Sequence, residues 1–127
     1  MNINRQQDSN WLQVIEECPT RALQFDSKYY NLTEIMQEIM KDEAFFKYGG
    51  GVTLSGGEPL FQHEFALAIL KACKQKNLHT AIETSLFVKR EVLAKILPYV
   101  DEFYTDLKIF NNDWHKKCTN VDNQVIK

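Results

Sequence analysis

The sequence predicts an α/β fold with a parallel sheet and at least three βα units. Three observations lead there. Short apolar or β-branched runs begin near Val52, Thr80 and Phe103, roughly 25 residues apart. The intervals between them carry apolar residues at helical spacing, so successive strands are joined by helices and pair in parallel through right-handed crossovers. Finally, each run closes on polar residues, and in such folds the ends of the strands carry the ligand sites.

Asn31 followed by Glu34 forms a capping-box pattern, with Leu32, Ile35, Met36, Ile39 and Met40 recurring behind it, which predicts a helix from about Leu32 to Asp42. Gly49 to Gly51 break the chain. Val52 to Ser55 then read as a strand ending in Gly56-Gly57-Glu58-Pro59, where glycines permit close backbone approach, Glu58 supplies charge and Pro59 suits a first helical turn. On spacing alone a tight βα turn with one solvated acid explains this segment equally well.

The second helix runs from about Phe61 or Gln62 to Lys76, with Phe65, Ala66, Ile69, Leu70, Ala72 and Cys73 as its buried stripe. Cys73 is therefore a core residue. His79 to Thr84 make the second strand. The third helix covers about Lys89 to Leu97, with Val92, Leu93, Ile96 and Leu97 inward and Pro98 as its stop. Phe103 to Leu107 form the third strand, followed by Lys108. Glu58, Glu83, Thr84, Asp106 and Lys108 thus fall at one edge of the sheet, where acids and a lysine could hold an ammonium, a cation and a carboxylate. Taken singly, each is better explained as a cap or a hydrated surface group; the joint pattern is what points to a site.

At 127 residues the chain is long enough to bury about two-thirds of its unfolded surface. Hydrophobic residues at 44% and charged residues at 25% are ordinary globular values. A net charge of −2 provides no basic field for nucleic acid or an anionic membrane. Cys18, Cys73 and Cys118 are widely scattered, which predicts reduced thiols in the cytoplasm. No apolar run approaches the ~20 residues of a membrane span, and the polar start does not read as a signal peptide.

The segments Cys18-Pro19-Thr20-Arg21-Ala22-Leu23, GGGVTLSGGEPLFQ from Gly49, HTAIETS from His79, Asp106-Leu107-Lys108 and HKKCTNVDNQV from His115 together resemble the radical S-adenosylmethionine enzymes. Within them, the likeness is to the activating enzymes of glycyl radical enzymes, the pyruvate formate-lyase activating type. It covers about Cys18 to Lys127.

The resemblance implies a partial (β/α) barrel of the radical SAM type, with residues 1–127 as a single incomplete domain. Residues of about 1–24 would be the remnant of a ferredoxin-like insert, and about 32–127 the βα repeats. It implies that Gly56, Gly57 and Glu58 receive the amino group of S-adenosylmethionine. Glu83, Thr84, Asp106 and Lys108 would line the cofactor, with a monovalent cation at Glu83, Thr84, Asp106 and Leu107. An ammonium does favour carbonyl oxygens and a carboxylate. Its implied partners are a glycyl radical enzyme and an electron donor such as flavodoxin or ferredoxin.

Three departures qualify this likeness. The Cys-x3-Cys-x2-Cys motif that holds the family's 4Fe-4S cluster is absent from this sequence. Cys18 resembles the last ligand of the insert, but Asp8, Trp11 and Val14 stand at the preceding ligand spacings. Leu86 occupies a position where the family commonly has glycine. The chain is thus expected to be the central part of an activating enzyme, with a cluster in the complete enzyme only and no activity alone. A non-catalytic or decayed S-adenosylmethionine-binding fragment is the alternative. A phosphate-binding loop is disfavoured because Glu58 would repel the phosphate.

Overall fold

The computed structural model describes residues 17–20 and 28–126. The chain divides into two compact units, Met1–Tyr30 and Asn31–Lys127. Of the first, the described residues comprise 17–20 and 28–30. The expected insert remnant, with Asp8, Trp11, Val14 and Arg21 to Leu23, otherwise lies outside the described residues.

The second unit carries the repeats. Helix α1 spans Leu32–Met40 and begins with the expected capping box: the Glu34 amide donates to Asn31 Oδ1 and the Asn31 amide to Glu34 Oε2, each at 2.9 Å. A single turn, α2 (Glu43–Phe46), leads to strand β1 (Gly51–Leu54). Gly51 is required by close approach, since a Cβ there would stand 2.5 Å from the His79 carbonyl oxygen on the next strand.

Pro59–Gln62 form a 3-10 turn that opens helix α3 (His63–Gln75). Strand β2 is His79–Thr84, residue for residue as predicted. Helix α4 (Arg90–Ile96) runs into a second 3-10 turn at Leu97–Tyr99, so Pro98 tightens the helix end rather than following it. Leu97 is consequently 51% exposed, correcting its expected place on the inner face. Strand β3 is Glu102–Thr105, starting one residue earlier and ending two residues sooner than expected, with Asp106 still bonded to β2 through its amide. Helix α5 (Asn112–Thr119) completes the order.

The three strands pair in parallel in the order β1-β2-β3. Register places Leu54, Ile82 and Phe103 in one row, and this row faces the helices. Ile82 packs there with Leu60, Leu70 and Ile96. A second cluster joins Ile69, Cys73 and Leu78 to the half-buried stripe Ile35, Met36, Ile39 and Met40 of α1. Alternation along each strand sends Thr53, Glu83 and Tyr104 to the opposite face, where all three are exposed. Parallel sheets are ordinarily covered on both faces; here the second face is open at these three residues, although Ala81 on it is buried.

The two ends of the strands differ in chemistry. At the amino ends, Asp101 Oδ2 accepts from the Thr80 amide at 2.8 Å and pairs with Lys74, while the Asp101 amide returns a bond to the Thr80 carbonyl at 2.9 Å. The Lys74 ammonium and then the Thr80 amide hold the Asp101 carboxyl at about 2. This arrangement ties β3 to β2. The carboxyl ends carry the residues singled out in the sequence.

Candidate cofactor site at the strand ends

Gly56 lies between β1 and the 3-10 turn with φ of +109°, a conformation that side chains rarely tolerate. Gly57 has an ordinary φ. Neither glycine has any atom within 4 Å of where a Cβ would stand, and both are exposed. The loop therefore presents bare backbone to open space.

Glu58 turns the other way. Its Oε1 accepts the Thr84 hydroxyl at 2.7 Å and the Leu60 amide at 3.1 Å; its Oε2 accepts the Ser85 amide at 2.9 Å and the Ser85 hydroxyl at 2.7 Å. A carboxylate offers about four acceptor positions, and here four donors use them. Burial pushes the Glu58 carboxyl upward, but the bonds from Thr84, Ser85 and Leu60 together outweigh it, and the net direction is downward. Glu58 is an anion at neutral pH.

Thr84 is 3% exposed and relays the network, its Oγ1 accepting from the Leu86 amide at 3.0 Å. Its carbonyl accepts from the Asp106 amide at 3.1 Å, which carries the β2–β3 ladder past the last strand residue. Leu86 has φ of +58°. The turn thus keeps the left-handed geometry that suits glycine, at a cost of about 1–2 kcal/mol for a leucine.

The expected site residues consequently separate into groups. Glu58 and Thr84 are joined directly on the helix-covered side. Glu83, one residue earlier on the strand, opens on the uncovered face, and its carboxylate has no hydrogen bond or ion pair among the described residues. Asp106 and Lys108 are exposed and pair with each other. Ser85 is the residue that spacing arguments did not single out, although a hydroxyl next to Thr84 at a strand end was a visible signal.

A cavity of about 380 Å³ opens beside this turn, lined by Ser85, Leu86, Thr105, Leu107, Phe110 and Ile126. Its far wall is organised by the wholly buried Asn123, whose Nδ2 donates to the carbonyls of Ile109 and Phe110 at 3.0 and 2.9 Å. Ser85 and Thr105 are the polar residues of this otherwise apolar lining.

Comparison with known proteins now decides the family. The model of the radical SAM superfamily matches residues 18–127. The chain belongs to that superfamily. It is 38% identical over 126 residues to the (2S)-3-sulfopropanediol dehydratase activating enzyme of Klebsiella oxytoca, covering 98% of this chain and 40% of that protein. It is 40% identical over 119 residues to the 4-hydroxyphenylacetate decarboxylase activating enzyme of Clostridioides difficile strain 630, covering 94% of this chain and 38% of the relative. With the choline trimethylamine-lyase activating enzyme of Oleidesulfovibrio alaskensis the identity is 42% over 109 residues, 85% of this chain and 35% of the other.

Among solved structures, a domain of pyruvate-formate lyase-activating enzyme from Bacteroides vulgatus superposes with a TM-score of 0.54 at 36% identity, covering 61% of this chain and 48% of that one. The fold is therefore part of a radical SAM barrel. This radical SAM chain spans about 40% of the length of the first-named relative.

The residues present fit the two groups of this superfamily differently. Bare glycine backbone, the uncovered Glu83 and the exposed Lys108 suit the amino-acid end of S-adenosylmethionine. The cysteines do not suit a 4Fe-4S cluster. Cys73 is wholly buried in the helix-sheet core, where burial pushes its thiol upward against the smaller effect of Lys74. Cys18 and Cys118 stand at no ligand spacing from it. Among the described residues no group of three or more His, Cys, Asp or Glu could hold a metal ion, and no helix is long and apolar enough to cross a membrane.

Proposed function

We propose that this chain is the central part of an activating enzyme that binds S-adenosylmethionine and, in its complete form, generates a glycyl radical on a partner enzyme. The observation that carries the proposal is the open Gly56-Gly57 backbone beside the end of β2, in a chain whose relatives are activating enzymes. The loop backbone receives the cofactor ammonium, Lys108 the cofactor carboxylate, and Glu83 with Thr84, Asp106 and the Leu107 backbone a monovalent cation. Bound S-adenosylmethionine supplies a radical-forming adenosyl group. What these residues contribute is orientation.

The partner is an enzyme of the glycyl radical class, to which pyruvate formate-lyase belongs, and the electron comes from a carrier such as flavodoxin or ferredoxin. Both follow from the family rather than from any residue of this chain. A second reading, a cofactor-binding module without catalysis, is favoured for the chain alone by the buried Cys73 and the scattered thiols.

Two measurements test this. Calorimetric titration of the chain should give tighter binding of S-adenosylmethionine than of ATP, and a preference for ATP would overturn the cofactor assignment. Iron and sulfide analysis after anaerobic reconstitution should give no stoichiometric 4Fe-4S cluster on this chain. A full cluster would overturn the reading of a module that lacks the 4Fe-4S cluster.

A further inference from the structure

We propose that Glu58 is a positioning residue: its carboxylate clasps the turn after β2, through Thr84 and Ser85, and so holds the Gly56-Gly57 backbone ready for the cofactor's ammonium without touching it. This rests on the cofactor reading above but assigns Glu58 a different part in it. Both carboxylate oxygens are occupied from within the chain, Oε1 by Thr84 and Leu60 and Oε2 by the amide and hydroxyl of Ser85. An ammonium arriving at either oxygen would have to displace a donor that is already well placed. Charge-assisted bonds of 2.7 Å to hydroxyls are among the stronger neutral-donor contacts a carboxylate makes.

The clasp spans two loops with no ladder between them. The β1–β2 ladder pairs Leu54 with Ile82, its last register pair, and beyond it the two chains separate. Glu58 and Ser85, four and three residues further on, are joined by these bonds, beside the packing of Leu60 on Ile82. The network then reaches the Leu86 amide through Thr84 Oγ1, so it also holds the left-handed turn that walls the cavity. Leu60, whose amide Glu58 caps, is 2% exposed in the core and anchors the other end of the loop. The glycines, which have no side chains and no neighbours of their own in front, depend on this frame for their placement.

Ser85 thereby becomes a second positioning residue, and it separates the clasp from a direct ion pair. Ser85→Ala removes one hydroxyl from a half-buried position while leaving the Glu58 charge intact. Ser85→Thr keeps the hydroxyl.

The test uses the 127-residue chain. Without ligand, amide hydrogen exchange at Ser85 and Leu86 should speed about tenfold in Glu58→Gln, with the amides of Leu70 and Ile82 unchanged as a control for global folding. Titration with S-adenosylmethionine should show Ser85→Ala binding several-fold more weakly, the double variant no weaker than Glu58→Gln, and Ser85→Thr restored to wild-type affinity. Wild-type affinity in Ser85→Ala beside weakened binding in Glu58→Gln would overturn the proposal, since the carboxylate would then meet the ammonium itself. Unchanged exchange at Ser85 and Leu86 in Glu58→Gln would overturn the clasp whether or not the cofactor binds. Failure of the wild-type chain to bind S-adenosylmethionine would overturn the cofactor reading instead.

Discussion

The Thr84 hydroxyl donates to Glu58 Oε1 at 2.7 Å, joining the end of β2 to the loop that follows β1. Thr84 is buried and Glu58 half-buried, so the bond is shielded from water on the helix side of the sheet. It is the contact through which a strand end, a glycine loop and a cavity wall become one unit.

Acid should loosen this contact first. The Glu58 carboxyl is held below its ordinary value of 4.5 in the folded chain, because four hydrogen bonds outweigh its burial. A depressed carboxyl contributes stability that is present above the unfolded value and lost as pH falls through the folded one. Glu58→Gln should cost about 1–3 kcal/mol near neutral pH, and the difference from wild type should shrink below about pH 4.5. Urea midpoints measured between pH 7 and pH 3 check this.

Asp101 sets a second acid window. Its carboxyl lies at about 2 against an ordinary 3.8, held there by the Lys74 ammonium and the Thr80 amide. Asp101→Asn should be the less stable chain above pH 4, with the difference closing as pH falls toward 2. The residue is exposed, so 1 M salt should reduce the difference as well. Thermal melts at two salt concentrations would reveal it.

The two loop glycines should respond differently to alanine. Gly56→Ala meets the positive φ and should lose about 1–2 kcal/mol of stability. Gly57→Ala meets neither strain nor neighbours and should change stability by less than about 0.5 kcal/mol. If bare backbone is what the ligand needs, Gly57→Ala should nevertheless weaken S-adenosylmethionine binding about tenfold. Calorimetry beside denaturant titration separates the two effects.

Leu86 offers a test of the turn. With φ at +58°, removing the side chain to alanine keeps the strain, whereas removing it to glycine relieves the strain. Leu86→Gly should therefore be about 1 kcal/mol more stable than Leu86→Ala, the reverse of the usual order in helices and strands. Equal stabilities would mean that the turn relaxes in the variants.

Much of this architecture is legible in the sequence. The Asn31–Glu34 cap, the run His79–Thr84 and the apolar stripe through Ile69, Leu70 and Cys73 are local patterns, and local physics decides them. Leu97 departs from the helical pattern because the helix end at Pro98 is a 3-10 turn, and its side chain is exposed. Glu83 and Thr84 are adjacent in the sequence, and the period of two in a strand sends their side chains to opposite faces. The partner of Glu58 was not legible at all. It depends on the parallel register of β1 and β2 and on the path of two loops beyond it, which are products of tertiary structure.

The measurement that bears most directly on the central claim is a titration of the isotopically labelled chain with S-adenosylmethionine, followed by amide chemical shifts. The account predicts saturable shifts at Gly56, Gly57, Glu83 and Lys108, with the amino-end residues His79, Asp101 and Glu102 unmoved. Shifts centred on His79 and Asp101, or none at the glycine loop at saturating ligand, would contradict it.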